Sequence, residues 1–231
     1  MSKIVSISLL YFLVMIMLGC GNGEKNTENN STPSQNKAET SSQKTKNILI
    51  FGNSLTAGYG LEPTESYPSQ LQNRLDSLHL PYKIINAGLS GETTSGGNSR
   101  LDWVLKNPVD IFILELGGND GLRGIPATET RKNLQAMIDK VKAKYPDAKI
   151  ILAGMQVPPS MGKKYADEFK VIYTELAQRN EVALIPFLLE NVGGEVKLNQ
   201  KDGIHPNAEG AKIVAENVWQ VLKGLLEEYT G

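Results

Sequence analysis

Ser54 is the residue whose type and surroundings first suggest covalent chemistry in this sequence. It stands in the stretch FGNSLTAGYG, which begins at the end of the apolar run of residues 48–51. Such a run predicts a buried strand, and a serine among glycines at its end is either a polar turn residue or a nucleophile that the turn presents. A serine hydroxyl needs a general base to attack, so the rest of the chain must decide between these interpretations.

His205 is the candidate for that base. It lies in the stretch DGIHPN, three residues after Asp202. An aspartate at this spacing can accept a hydrogen bond from the imidazole Nδ1 and leave Nε2 facing outward as a base. Taken alone, an Asp-x-x-His stretch before a helix also serves capping and surface roles. The other histidine, His79, follows a predicted helix, where a solvated or helix-terminal role is expected.

The remaining candidates for the functional site are Gly91 in LSGET and Asn119 in GGND. Each residue is also an ordinary turn former. Acyl transfer gives both a further role, because a backbone N–H and an asparagine amide are suitable donors for a developing oxyanion. Four weak signals at the ends of predicted strands therefore favour one hydrolytic site.

Other chemistries find less support in the sequence. The spacing of Gly52 and Gly58 does not fit a phosphate-binding loop, and no Lys-Ser or Lys-Thr follows. The G-x-S-x-G turn of the α/β-hydrolases is absent as well. A net charge of −1 gives no electrostatic argument for nucleic acid as a partner. The single cysteine, Cys20, excludes a disulfide and a thiolate metal site from the folded part.

Strand-like and helix-like patterns alternate through the rest of the chain. They predict strands at residues 47–51, 82–85, 109–116, 149–154 and 182–186, and helices at 67–78, 99–106, 128–145, 164–179 and after Asn207. This alternation predicts one three-layer α/β/α domain with a mostly parallel, five-stranded sheet. Ligand sites in such folds lie at the carboxyl ends of the strands, where this sequence has its polar, glycine-rich stretches.

The stretches GNSLTAGYG, NAGLSGET, ELGGNDGLRG and DGIHPN together resemble the SGNH (GDSL) hydrolases, and in particular the bacterial acyl-thioesterases, lysophospholipases and arylesterases. The resemblance covers residues 47–231, which we interpret as the hydrolase domain. It implies Ser54 as nucleophile, and Asp202 and His205 as the other triad members. It further implies an oxyanion hole formed by Ser54, Gly91 and Asn119, a flavodoxin-like sheet, and neither a metal nor a cofactor.

One position departs from the pattern of the family. The family usually has an aspartate before the nucleophilic serine, whereas this chain has Asn53. An asparagine keeps one acceptor oxygen and replaces the other with a donor, at lower charge. We expect the loop to keep its conformation, and the reaction rate and its pH profile to be the properties that differ.

The N-terminus predicts export and lipid attachment. Residues 4–18 are almost wholly apolar after Lys3, and the run ends in MLGC, which resembles the bacterial lipobox. This pattern predicts a lipoprotein signal peptide over residues 1–19, followed by a lipidated Cys20 and a polar tether through residue 46. The alternative is a short membrane anchor with an incidental cysteine. The expected location is the cell envelope, on a bacterial membrane.

The sequence thus predicts a serine ester hydrolase that acts on a small acyl ester, a thioester or a lysophospholipid. The apolar stretch of residues 155–161 favours a longer acyl group, although these residues could simply pack on the sheet edge. A carbohydrate O-deacetylase of the same family is the main alternative. A lipoprotein that binds acylated or glycan ligands without chemistry is a third, which the intact set of Ser54, Asp202 and His205 argues against.

Overall fold

A computed structural model provides the structure of the chain and describes residues 44–227. The predicted signal peptide, the predicted lipidation site at Cys20 and most of the predicted tether lie outside the described residues. In the described part, no helix is long and apolar enough to cross a membrane.

A five-stranded parallel sheet forms the centre of the domain. Its strands are β1 (Lys46–Gly52), β2 (Tyr82–Gly88), β3 (Ile111–Glu115), β4 (Lys149–Ala153) and β5 (Ala183–Ile185). The strand order is β2-β1-β3-β4-β5, which is the flavodoxin-like order. The predicted fold class is therefore confirmed, and all strand pairs are parallel rather than most of them.

Helices cover both faces of the sheet. They are α1 (Ser54–Ala57), α2 (Tyr67–Ser77), α3 (Thr94–Val104), α4 (Gly118–Leu122), α5 (Ala127–Lys144), α6 (Lys163–Asn180) and α7 (Ala208–Leu222). Helix α2 packs against α7, while α5 packs against both α3 and α6. Short 3₁₀ turns occupy Pro63–Glu65, Pro159–Met161, Val196–Leu198 and Lys223–Leu225. As predicted, Asn207 caps α7, because its side chain accepts a hydrogen bond from the Gly210 N–H.

The third helix begins earlier than predicted. We expected it at residues 99–106, whereas α3 spans Thr94–Val104. The Thr93 side chain caps this helix by accepting a hydrogen bond from the Gly96 N–H. The pair of glycines that follows is typical of a loop, but Gly97 faces the core, where a Cβ would overlap Leu116. Close packing of the helix on the sheet, rather than helix propensity, explains the glycine here.

Strand β3 lies in the middle of the core, and all of its residues are buried. Its consecutive apolar residues are all buried, so both faces of the strand are covered, as the continuous apolar run predicted. Its last residue is Glu115, a carboxyl group with no exposed surface. The strand register aligns Gly52 at the end of β1 with Gly88 on one side and Glu115 on the other. The carboxyl ends of β1, β2 and β3 therefore meet at one edge, and this edge carries the site.

Candidate active site

Ser54 is the first residue of α1 and lies two residues beyond the end of β1. Asn53 caps this short helix, since its Oδ1 accepts the Leu55 N–H at 2.9 Å. Ser54 is 8 % exposed, so its hydroxyl reaches the cleft from a largely buried position. A side chain on Gly52 would overlap Thr56 and Glu115, which explains the glycine before the cap.

The structure joins Ser54, His205 and Asp202 into one hydrogen-bonded chain. The Nε2 atom of His205 lies 2.9 Å from the Ser54 Oγ, and its Nδ1 lies 2.7 Å from the Asp202 Oδ2. The other carboxylate oxygen, Oδ1, accepts the N–H groups of Ile204 and His205 at 2.9 and 3.0 Å. The backbone N–H of Ile204, followed by the His205 side chain, lowers the pKa of Asp202 to about 2. Asp202 is therefore ionised at neutral pH and faces the imidazole as an acceptor.

The loop that carries His205 is tied to the turn that follows Ser54. The Gln200 N–H donates to the His205 carbonyl at 2.7 Å, and the Gln200 side chain donates to the Tyr59 carbonyl at 2.7 Å. The Tyr59 ring packs on the imidazole with a centroid distance of 4.7 Å. Gly203 has a φ of 72°, a left-handed conformation that glycine adopts without strain. These contacts hold the imidazole at hydrogen-bonding distance from the serine.

The two further predicted donors follow β2 and β3, Gly91 in a turn and Asn119 in a short helix. Asn119 is in α4 and lines the same cleft as Ser54 and His205. Its Nδ2 donates one hydrogen bond to the Glu92 carbonyl at 2.9 Å, which leaves its second N–H for another acceptor. Gly91 precedes Glu92 and is not among the residues that line the cleft. Within residues 44–227, the N–H groups of Ser54 and Gly91 donate to no protein acceptor.

A buried ion pair that we did not predict supports the turn around Gly91. The Arg100 guanidinium binds the Glu92 carboxylate through Nε at 2.6 Å, and its Nη2 donates to the Ala87 carbonyl at 2.8 Å. The guanidinium also stacks over the Phe51 ring, 4.1 Å from the centroid. Since the Glu92 side chain is 3 % exposed, removing Arg100 would leave a buried carboxylate without its cation. In the sequence, Glu92 in the stretch LSGET was the only signal of this ion pair, because its partner Arg100 lies eight residues further along the chain.

A second unpredicted group lies behind the nucleophile. The Glu115 carboxylate accepts the Asn53 N–H at 3.0 Å, the Asn53 Nδ2 at 2.8 Å and the Thr56 hydroxyl at 2.8 Å. The Thr56 oxygen in turn lies 2.7 Å from the Tyr67 hydroxyl. Burial raises the pKa of Glu115 to about 7. An acidic residue at the end of the most apolar strand, in the stretch IFILELGG, was the signal in the sequence.

A cleft of about 540 Å³ opens beside Ser54 and His205. Most of its lining side chains are apolar, namely Leu55, Leu122, Met155, Val157, Pro158, Pro159, Phe187, Leu189 and Ile204. The stretch of residues 155–161 was predicted either to contact an acyl group or to pack on the sheet edge. Met155 and Val157 are buried and also line the cleft, so they combine core packing with a place at its wall, and the contact with an acyl group stays a prediction.

Metal ligands are not grouped at this site. Within residues 44–227, no three His, Cys, Asp or Glu side chains are placed so that they could hold a metal ion. The polar side chains that line the cleft are one hydroxyl, one imidazole and three amides, which suit proton transfer and anion stabilisation.

The parallel α/β domain carries a hydrogen-bonded Ser–His–Asp chain at the carboxyl ends of its strands. Together these two features indicate a hydrolase with a serine nucleophile. The model described as the GDSL-like Lipase/Acylhydrolase family matches residues 50–213, and the chain belongs to this family. This result confirms the resemblance to the SGNH (GDSL) hydrolases.

Two relatives and one solved structure specify the similarity further. The esterase TesA of Pseudomonas aeruginosa is 39% identical over 180 residues, which cover 78% of this chain and 89% of the relative. The Thioesterase 1/protease 1/lysophospholipase L1 of Escherichia coli (strain K12) is 35% identical over 180 residues, covering 78% and 84%. The structure of the psychrotrophic esterase EstA from Pseudoalteromonas sp., inhibited by monoethylphosphonate, is 32% identical with a TM-score of 0.74, covering 79% of this chain and 100% of that one.

Proposed function

We propose that the protein is a serine ester hydrolase that works through an acyl-enzyme intermediate. The observation that carries this proposal is the 2.9 Å contact between the His205 Nε2 and the Ser54 Oγ, with Asp202 bound to the opposite side of the imidazole. This is the arrangement in which a histidine accepts the proton of an attacking hydroxyl. The esterase and thioesterase names of the relatives agree with it.

The reaction follows from the direction of these hydrogen bonds. As the Ser54 Oγ attacks the acyl carbon, His205 takes its proton on Nε2 and Asp202 stabilises the imidazolium through Nδ1. His205 then donates that proton to the leaving alkoxide or thiolate, and the acyl group remains on the serine. Water attacks the acyl-enzyme with His205 again as base, which releases the acid and restores the serine hydroxyl.

The charge that develops on the acyl oxygen requires donors that are free in the resting enzyme. The N–H groups of Ser54 and Gly91 and the second N–H of the Asn119 amide meet this requirement among the described residues. Asn119 is oriented by its bond to the Glu92 carbonyl, and the Glu92–Arg100 pair holds that turn in place. We therefore assign the oxyanion hole to Ser54 and Asn119, which line the cleft, and include Gly91 because the family resemblance implies it.

An acyl group of several carbons is the substrate feature that the cleft favours. Its apolar lining can bury methylene groups, and each buried methylene contributes about 0.8 kcal/mol. An acetyl group would leave most of this lining without a partner. Met155 and Leu122 lie on the same cleft as the nucleophile, and a methionine adapts its shape to an irregular apolar ligand.

The chain-length dependence of turnover tests this proposal. For p-nitrophenyl acetate, butyrate and octanoate, we expect kcat/KM to rise with chain length, by at most about fourfold per methylene. The variant Leu122→Ser should lower kcat/KM for octanoate more than for acetate, because it replaces an apolar lining side chain. The control Val196→Ser, at an 88 % exposed residue outside the cleft lining, should change neither value. A preference for acetate, with release of acetate from acetylated oligosaccharides, would instead support the carbohydrate O-deacetylase.

We also propose that the protein is a lipoprotein of the bacterial cell envelope, attached through Cys20. The support comes from the sequence: the apolar residues 4–18, the MLGC stretch and the polar residues 21–46. Cells that express the full chain should incorporate labelled palmitate into it, and Cys20→Ser should abolish the label. Equal labelling of the variant and the wild type would show that Cys20 is not the attachment site.

A further inference from the structure

We propose that Glu115 is a positioning residue for the nucleophile: its carboxylate fixes the Asn53 amide, and Asn53 fixes Ser54. The inference rests on the proposed function, because it assigns a role within the same reaction. Glu115 touches neither the cleft nor the reacting atoms. It acts through the residue that precedes the serine.

The surroundings of Glu115 provide hydrogen-bond donors for both of its carboxyl oxygens. The Asn53 N–H, the Asn53 amide and the Thr56 hydroxyl all point at its two oxygens. The titratable groups that face it are hydroxyls: Tyr67 from α2, through Thr56, and Tyr173 from α6. Among the described residues, none of the ion pairs includes Glu115. Hydrogen bonds alone therefore stabilise its ionised form against the burial that raises its pKa to about 7, and two of the three come from Asn53.

The same contacts determine the orientation of Asn53. Its Oδ1 accepts the Leu55 N–H at 2.9 Å and lies 3.3 Å from the Ser54 Oγ, so the amide oxygen must face α1. Its Nδ2 must then face Glu115, at 2.8 Å. A flipped amide would set donor against donor at the Leu55 N–H and acceptor against acceptor at Glu115. The buried carboxylate thus selects one orientation of the side chain that contacts the serine hydroxyl.

An aspartate at position 53 would change this pairing in a defined way. Two carboxyl groups would face each other across the 2.8 Å contact, and they could coexist there only by sharing a proton. As the pH rises through the apparent pKa of the pair, that proton leaves and two negative charges repel each other. Asn53 replaces the shared proton with a permanent N–H, so the wild-type turn does not depend on a proton held between these side chains.

The pH profile of Asn53→Asp tests the proposal. We expect near wild-type kcat/KM close to neutral pH and an added descending limb at alkaline pH, with a loss of about tenfold near pH 10 relative to the wild type. The control Asn73→Asp adds the same charge on the exposed surface of α2 and should leave the profile unchanged. Superimposable profiles for the wild type and Asn53→Asp would overturn the proposal.

The second test exchanges the amide and the carboxyl group between positions 53 and 115. In Glu115→Gln, the new amide places a donor against the donors of Asn53, and we expect kcat to fall about tenfold at similar KM. The double variant Asn53→Asp/Glu115→Gln re-forms every hydrogen bond. The introduced glutamine amide donates to the introduced aspartate, while the glutamine oxygen accepts the Thr56 hydroxyl and the backbone N–H at position 53. We expect this variant to recover most of the lost kcat. Full activity in the single Glu115→Gln variant, or no recovery in the double variant, would contradict the assigned role.

Two measurements keep this inference separate from the proposed function. The melting temperatures of the wild type, the two single variants and the double variant form a cycle that requires no turnover, and we expect positive coupling between positions 53 and 115. If Glu115→Gln does not fold, the Asn53→Asp profile still decides the question. Hydrolysis that persists in Ser54→Ala would contradict the proposed function, whereas additive melting temperatures would contradict the pairing alone.

Discussion

Ser54→Ala is expected to lower kcat for p-nitrophenyl esters by a factor on the order of 10⁵–10⁶. The variant has no oxygen to form the acyl-enzyme, and His205 then has no hydroxyl to deprotonate. The side chain is small and 8 % exposed, and its hydroxyl contacts His205 and Asn53 rather than the core. We therefore expect the fold to persist, with a circular dichroism spectrum and a melting temperature close to those of the wild type.

Covalent labelling makes this result specific to the serine. A fluorophosphonate probe should label the wild-type enzyme and fail to label Ser54→Ala. Ser99→Ala is the matched control, because Ser99 is an exposed serine on α3 whose hydroxyl donates to the Ser95 carbonyl. It should label and turn over as the wild type does. A wild-type protein that resists the probe would favour a ligand-binding lipoprotein without chemistry.

Asn119→Ala is expected to lower kcat by on the order of 10²–10³, with a much smaller change in KM. The loss falls on kcat because the second amide N–H meets its acceptor only when the acyl oxygen becomes an oxyanion. Steady-state kinetics on a short p-nitrophenyl ester, at saturating and at low substrate concentration, separate the two constants. The expected loss exceeds that for Glu115→Gln, because Asn119 would contact the reacting atoms.

A matched amide controls for the structural bond that Asn119 makes. Asn217 also ties a turn by donating to two carbonyls, those of Leu188 and Glu190, but it does not line the cleft. Asn217→Ala should lower stability without lowering kcat. If Asn119→Ala raises KM and leaves kcat intact, the amide orients the Glu92 turn and does not bind the oxyanion.

The sheet and the approximate site were predictable because both depend on short-range patterns. Continuous apolar runs predict buried parallel strands, and β3 is the clearest example, with all its residues buried. In a parallel sheet all strands end at one edge, so polar residues that follow β1 and β3 are neighbours whatever their separation in the chain. That rule brought Ser54 and Asn119 to one cleft. The contact of His205 with Ser54 was predicted from the resemblance and from the need for a base.

The groups that the sequence did not reveal are those whose role depends on distant partners. Glu115 in IFILELGG is a single acid in an apolar run, and its partner Asn53 lies on another strand end. Arg100 is a polar residue in a helix, and only the fold brings it onto the Phe51 ring and the Glu92 carboxylate. Helix α3 was placed too late because its glycines favour loops in isolation. In each case tertiary packing overrides the local signal.

The separation of Ser54 and His205 along the chain has a consequence for biosynthesis. The two side chains that meet at 2.9 Å are 151 residues apart, and the ribosome delivers the serine long before the histidine. On the proposed mechanism, Ser54 is an alcohol of ordinary reactivity until the segment after β5 emerges and docks beside the Ser54 turn. We therefore expect a truncated product that ends before His205 to be inert towards esters, even if its first strands have folded. Onset of turnover during translation or refolding would accordingly mark completion of the domain, which makes activity a direct assay of C-terminal docking.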